Sequence, residues 1–259
     1  MINGLLIYNS FDYIKNELYA DWLINEARKN DMNLFLIYSN EIYQSGVKNL
    51  SDIDFVINRS RDYNLSLMFE LNGKKVFNDS TVTLYGNNKL SGYKLVDELN
   101  IKYSRILLDW KFSDKIISKP IYGHGGLGIE ILQESINHIL LENTLKQEVE
   151  NVLGDVRFYI VNDRIVHSVI RKSTDGLLSN YSLGGTFEKY EANEYEQSLV
   201  KKIIDRVHFD YAGIDFLKLK TGEMLFNEIE DVVGSRMLSE LGCNDTVPHF
   251  MEHIKNSLE

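Results

Sequence analysis

Three carboxylates in the stretch YAGIDFLKLKTGEMLFNEIED, namely Asp215, Glu228 and Glu230, are spaced for metal chemistry. The stretch reads as a hairpin turning at Thr221-Gly222. A two-residue turn pairs Lys220 with Glu223, and counting back along both strands sets Asp215 opposite Glu228, with Glu230 next along the same face. Leu217, Leu219, Met224 and Phe226 then take the turn end of that face. Acids gathered on a half-buried face repel one another and lose hydration unless a hard cation or protons neutralise them. Magnesium suits such a set, because it takes carboxylate oxygens octahedrally and completes its shell with phosphate and water. The competing reading is an exposed acidic patch on an edge hairpin.

An anion-binding loop stands earlier in the chain. In KPIYGHGGLGIEIL, Lys119 precedes Gly123, Gly125, Gly126 and Gly128, and glycines at this density let backbone N–H groups approach phosphate without Cβ interference. Ile116 and Ile117 before the loop, and the alternating Ile129, Ile131 and Leu132 after it, place strands on both sides, so the loop is the tip of a hairpin lid. A dinucleotide fingerprint would open a helix inside the glycines, and a Walker-type loop would end in Gly-Lys-Ser/Thr. Neither pattern is present, and the chain lacks the His-Arg-Asp and Asp-Phe-Gly motifs of protein kinases. His124, inside the loop, is either a phosphate donor or a solvated loop side chain.

A formal net charge of −10 argues against a nucleic-acid or anionic-membrane binder, so any anion must meet a local positive site. Lys89, Lys119, Arg157 and Arg171 are the candidates. Arg157 and Arg171 fall on two strands joined by the tight turn Asn162-Asp163, where they read either as exposed sheet charges or as anion clamps. Arg236 is either a substrate-carboxylate partner or a salt-bridge partner. With Cys243 as the single cysteine, an intramolecular disulfide and a cysteine metal site are excluded, and that thiol is expected to be inert. The apolar runs are short and interrupted by charge and no signal-like segment opens the sequence, so a cytoplasmic protein is expected.

The elements that must position these residues follow from periodicity. Gly4 to Tyr8 is a buried strand, Phe11 to Lys29 a helix with Ile14, Leu18 and Trp22 on one stripe and Ser10 as its cap, and Asn33 to Tyr38 a second strand. Asp54 to Arg59 adds a third, and Val76 to Asn78 lies near a further edge. This is an open α/β sheet, expected to form a first domain over 1–86. A helix from Lys89 to Leu99, a strand at Ile106 to Leu108 and the glycine hairpin follow, with a helix over Glu134 to Leu145, as a lid unit over 87–146. Residues 147–259 carry the arginine strands, an amphipathic helix from Glu194 to Val207 and the acidic hairpin.

Glycine hairpin, connector, arginine strands, helix and acidic hairpin, in that order, resemble the ATP-grasp superfamily and, within it, the RimK-like carboxylate-amine ligases. The resemblance spans essentially the whole chain. It implies an α/β (α+β) ATP-grasp fold: an N-terminal pre-ATP-grasp domain, a small lid subdomain and a C-terminal antiparallel sheet. It also implies ATP and Mg²⁺, or Mn²⁺ in its place, as cofactors. Lys89 and Lys119 resemble the family's phosphate-binding lysines. Gln147, Glu148 and Val149 resemble the connector that reads adenine, and Asp155 stands where the family has a nucleotide-facing acid. Arg157 and Arg171 resemble the arginines facing the acyl phosphate.

Ser179-Asn180 and Gly184-Gly185 echo a substrate loop in which Asn180, with Arg236, would bind substrate. Leu178 stands there in place of arginine, and Glu230 in place of the metal-binding asparagine, with an altered 231–236 loop beyond it. These departures leave the acceptor unassigned. The implied reaction joins a small-molecule or peptide carboxylate to an amine through an acyl phosphate, releasing ADP and phosphate, and is compatible with a homo-oligomer. The alternatives are a phosphotransferase, a carboxylate-thiol ligase and a non-catalytic ATP-binding module.

Overall fold

The near-continuous apolar run of β1 (Ile2–Tyr8) belongs to a strand covered on both faces, and it pairs in parallel with β2 (Met32–Tyr38) and β3 (Phe55–Asn58). In the computed structural model, which describes residues 2–109, 115–123, 125–132, 143–172 and 185–259, β4 (Lys75–Phe77) completes this parallel sheet in the order β2-β1-β3-β4. Helices α1 (Ser10–Lys29), α2 (Ser39–Ser45) and α3 (Tyr63–Leu71) make the crossovers, with a short 3₁₀ turn at Leu50–Asp52.

The cap of α1 is Asn9 rather than the expected Ser10. Asn9 has extended backbone, and its Oδ1 accepts the amide of Asp12 at 2.8 Å. The expected Ile14-Leu18 stripe is also corrected: Ile14 is 74% and Leu18 87% exposed, and the buried positions are Ala20, Leu23 and Ala27. Asn16 departs from helical φ/ψ and breaks the phase between Ile14 and the core-facing positions, while Leu18, beyond the break and two residues before Ala20, turns to the other side of the helix.

Helices α4 (Ser80–Asn87) and α5 (Lys89–Glu98) lead to the lid sheet, formed by β5 (Ile106–Leu107), β6 (Ile116–Pro120), β7 (Glu130–Leu132) and β8 (Thr144–Glu148) in the order β5-β8-β6-β7. The glycine loop joins β6 to β7, which are antiparallel with Ile117 opposite Ile131. Leu145, expected at the end of a helix, lies in β8; the rest of that expected helix is almost wholly outside the described residues.

The third sheet is antiparallel, in the order β11-β10-β9-β12-β13, from β9 (Val152–Val161), β10 (Arg164–Lys172), β11 (Thr186–Lys189), β12 (Tyr211–Leu219) and β13 (Met224–Glu230). Asn162 and Asp163 make the two-residue turn from β9 to β10 with φ of 49° and 58°. One face of this sheet sends Val156, Phe158, Ile214 and Phe216 into a core with α4, α5 and α6 (Glu194–Ile204). The other sends Tyr159 and Tyr211 into a core shared with β1, α1 and the C-terminal α8 (Thr246–Leu258), which α7 (Arg236–Glu240) precedes. The first and last segments of the chain therefore bury their apolar surface together. Among the described residues, no helix is long and apolar enough to cross a membrane.

Candidate active site

On β9 the alternation that buries Val156 and Phe158 on one face turns Asp155 and Arg157 to the other. The antiparallel register brings Arg171 opposite Asp155 and Asp215 opposite Arg157, so two arginines and two aspartates meet on three adjacent strands. Arg157 donates from Nε to Asp215 Oδ1 at 2.8 Å and from Nη2 to Oδ2 at 2.7 Å. Arg171 Nη2 donates to the same Oδ2 at 2.6 Å and also to Asp155. All four side chains are buried, which removes the exposed-charge reading of the arginines. Glycine at 213 keeps the strand uncrowded: a Cβ there would stand 3.1 Å from Val233 Cγ2 and 3.4 Å from Cδ and Nε of Arg157.

Electrostatics follows from this packing. Burial alone would push Asp215 up, but Arg157 and Arg171 overcome it and hold its carboxyl at about 2. For Asp155 burial prevails over Arg171, and with repulsion from Asp215 its carboxyl rises to about 7. Asp155 Oδ1 and Arg171 Nε are buried without a partner among the described residues, an acceptor and a donor left over at the sheet surface.

The acidic hairpin reaches its expected pairing by a different route. The turn holds three residues, Lys220, Thr221 and Gly222, with the Leu219 amide donating to Glu223 O at 2.8 Å, which shifts the register by one. A bulge at Asn227 shifts it back, so Asp215 does face Glu228. The expected apolar end of that face is corrected accordingly: Met224 and Phe226 lie on the opposite face, in the core with Phe216. Asn227, which the alternation gave no reason to select, accepts from Lys119 Nζ at 3.0 Å.

Lys119 is buried, and burial pushes its ammonium down to about 8 against the attraction of Glu228. Lys89 Nζ donates to the carbonyl of Gly123 at 2.8 Å and pairs with Glu228 at 3.2 Å, tying the glycine loop to the acidic hairpin. Gly128 has φ +73°, and a Cβ there would come within 2.9 Å of Pro120 Cγ, so the loop closes back on the strand beside Lys119.

Two cavities meet at this cluster. The first lies between the lid and antiparallel sheets, lined by Ile117, Ile131 and Leu217, by Glu148, Val149 and Glu150, and by Lys89, Lys119, Asp155, Asn227 and Glu228, with Gly123 and Gly126 of the loop. Gln147, the first residue of the expected adenine-reading connector, is not among the residues lining this cleft, and its side chain is fully buried, donating to Ser104 O at 2.7 Å. The second cavity is lined by Ile14 and Leu18 of α1, by Arg59, Arg61 and Arg236, by Gly125, and by Arg157, Arg171, Glu228 and Glu230. Glu228 faces both. Arg236 is exposed and forms no ion pair among the described residues. Arg59 and Arg61, which sequence reasoning did not select, are engaged by the Tyr8 hydroxyl at 2.8 Å and by Asp12 at 2.6 Å. His124, Leu178, Ser179, Asn180 and Gly184 lie outside the described residues.

The acids fit a hard cation unequally. Glu228 and Glu230 are partly exposed at the cavities, though Glu230 lies 2.5 Å from Arg157. Asp215 lies beneath them, lines neither cavity and has both oxygens taken by guanidinium donors. A cation drawing on Asp215 would share it with the arginines.

Comparison with known proteins agrees with this architecture. Residues 100–249 match the model of the RimK-like ATP-grasp domain. The chain is 24% identical to the uncharacterized protein MG011 homolog of Mycoplasma pneumoniae, covering 98% of this chain and 96% of that protein. It is 23% identical to the alpha-aminoadipate–LysW ligase LysX of Sulfurisphaera tokodaii, over 81% of this chain and 85% of that one. In fold it is similar to the D-alanine–D-alanine ligase of Bacillus anthracis crystallised with ATP, with a TM-score of 0.73 at 13% identity over the full length of both chains. Hairpin lid, buried arginine pair and acidic hairpin occur in one chain with a family match over more than half its length, and the protein belongs to the RimK-like ATP-grasp family.

Proposed function

We propose that the protein is an ATP-dependent carboxylate-amine ligase. The γ-phosphoryl group of ATP passes to a substrate carboxylate oxygen and ADP leaves. An amine nitrogen then attacks the acyl carbon, phosphate departs with the former carboxylate oxygen, and the amine proton is lost as the amide forms. The observation that carries this reading is Glu228, which lines the cleft holding the lysines and glycine loop and also the cavity holding the arginines. A phosphoryl group handed from one cavity to the other would pass beside it.

In this reading Ile117, Ile131 and Leu217 enclose the adenine beside Glu148 and Val149, and Lys89, Lys119 and the amides of Gly123, Gly125, Gly126 and Gly128 hold the phosphates. Glu228 and Glu230 would hold Mg²⁺, which when bound neutralises phosphate charge and polarises the transferred group. Asp155 borders the nucleotide cleft. Arg171, with its unpartnered Nε, and Arg157 stabilise the charge that develops on the acyl phosphate and at the tetrahedral carbon. Arg236, at the rim of the second cavity, binds a carboxylate of the substrate, a small molecule or peptide, with Asn180 as the further substrate contact. The name of the relative LysX, an alpha-aminoadipate ligase, supports an amino-acid carboxylate or amine among the substrates.

The test is Mg²⁺-dependent nucleotide turnover with a panel of amino acids and short peptides. ADP formed in step with a new amide supports ligation. Transfer of phosphate to a stable product instead makes the protein a phosphotransferase, and nucleotide binding without turnover across the panel makes it a binding module.

A further inference from the structure

Away from the arginine cluster, three donors from separate parts of the chain converge. His208, in the connector after α6, places Nε2 3.2 Å from Asp210 Oδ1, and His253 of α8 places its Nε2 2.6 Å from the same oxygen. The three ligand atoms lie within 4.8 Å of one another. Asp210 precedes Asp215 by five residues along the chain, a strand distance of about 17 Å, so the group is separate from the proposed magnesium site.

The surroundings already orient these donors. Asp163, in the β9–β10 turn, pairs with His208 Nδ1 at 2.5 Å and is itself fixed by the Phe209 amide at 2.7 Å. Without a metal the two carboxylates favour the doubly protonated ring; a metal that displaces the Nε2 proton keeps the Nδ1–H on Asp163, the arrangement by which carboxylates orient metal-binding histidines. Asn78 Oδ1 accepts the amides of Asp210 and Tyr211 at 3.0 and 2.9 Å, which anchors the carboxylate's backbone. The His253 ring packs edge-on against Phe77 at 5.9 Å. Asp210 and His253 are buried, whereas the His208 side chain is 52% exposed and gives an ion access from solvent.

We propose that His208, Asp210 and His253 form a binding site for a divalent transition metal, zinc being the ion whose ligand chemistry they match. Zinc takes imidazole nitrogen and carboxylate oxygen at about 2.0–2.2 Å in tetrahedral geometry, so neighbouring ligand atoms stand about 3.3 Å apart. The His208 to Asp210 separation already meets that edge, and His253 needs to withdraw by less than about 1 Å. Water on the exposed side of His208 takes the fourth position. The site joins the connector before β12 to α8, clamping the C-terminal helix to the central sheet, and its role is structural.

The test uses the full chain, stripped with chelator and dialysed against zinc chloride with Mg²⁺ in excess to fill the hard-oxygen acids. About one zinc ion per chain is retained, the thermal unfolding midpoint rises with zinc, and Co²⁺ in its place gives the intense visible bands of a tetrahedral site. All three effects disappear in His208→Ala and in His253→Ala, and Asp163→Asn weakens zinc binding by about 10–100-fold. Should His253→Ala fail to fold, His208→Ala, at the half-exposed position, decides. No retained zinc in the wild type, or zinc retained equally by His208→Ala, overturns the proposal and leaves a proton as what His208 and Asp210 share.

Discussion

Arg157 holds Asp215 through both Nε and Nη2, at 2.8 and 2.7 Å, and a second guanidinium from Arg171 shares the same carboxylate. Removing Asp215 leaves two buried cations without their common partner. Asp215→Ala is therefore expected to cost about 3–5 kcal/mol of stability, read as a fall in the denaturant midpoint, so loss of activity in that variant reports folding as well as chemistry.

Glu228 gives the cleaner separation of the two, because it is partly exposed and its ion-pair partner among the described residues, Lys89, also has the Gly123 carbonyl. Glu228→Gln is expected to shift stability by no more than about 1 kcal/mol while lowering turnover by about a hundredfold or more. Unchanged turnover at saturating Mg²⁺ would remove Glu228 from the site.

Lys119 sets a pH limit on nucleotide binding. Burial holds its ammonium down at about 8, so it is charged at neutral pH and loses that charge as pH rises through 8. Above that pH a phosphate must draw a proton onto the amine as it binds. Affinity for Mg-ATP should fall towards tenfold per pH unit, about 1.4 kcal/mol each. Lys119→Arg, which keeps its charge, should flatten the profile measured by calorimetry. A wild-type affinity flat across the alkaline range contradicts this role.

A second pH effect concerns stability alone. Glu196 is buried on α6, pairs with Lys218 at 2.7 Å and accepts from the Tyr190 hydroxyl at 2.8 Å. Burial alone would raise Glu196, but Lys218 and Tyr190 outweigh it and leave the carboxyl below its usual 4.5. A lowered carboxylate contributes stability above the unfolded value and loses it as pH falls through the folded one. For Lys218 burial works downward, yet Glu196 and Tyr190 raise it above 10.5, so its contribution is complete below that value and is lost as pH rises through the folded one. Glu196→Gln should cost about 3 kcal/mol at neutral pH and reduce the acid-side slope of denaturation midpoint against pH.

The features legible in the sequence rest on local chemistry. Alternation identified β9 and β10, Asn162-Asp163 identified the turn between them, and glycines flanked by isoleucines identified the lid hairpin. Where two local signals compete, the sequence does not say which prevails. Ser10 and Asn9 are both capable caps, and only the extended backbone at Asn9 decides. Ile14 and Leu18 carry helical spacing, yet the break at Asn16 falls between them, and the face that meets the core runs through Ala20, Leu23 and Ala27. Asp215 faces Glu228 as a two-residue turn would also place it, because the longer turn and the Asn227 bulge offset each other. Asn227 breaks the apolar alternation of MLFNEIE, and that interruption is the signal that could have marked it. The taking of Asp215 by arginines from two other strands depends on strand order, which no single segment encodes.

Acyl-phosphate formation is tested most directly by trapping with hydroxylamine, which takes the place of the unidentified amine. The full chain is incubated with ATP, Mg²⁺, hydroxylamine and a pool of amino acids, N-acyl amino acids and short peptides. Hydroxamate and ADP are expected in equal amounts, without AMP, and both should be lost in Glu228→Gln. AMP and pyrophosphate as the products, or ADP released with no hydroxamate, would contradict ligation through an acyl phosphate.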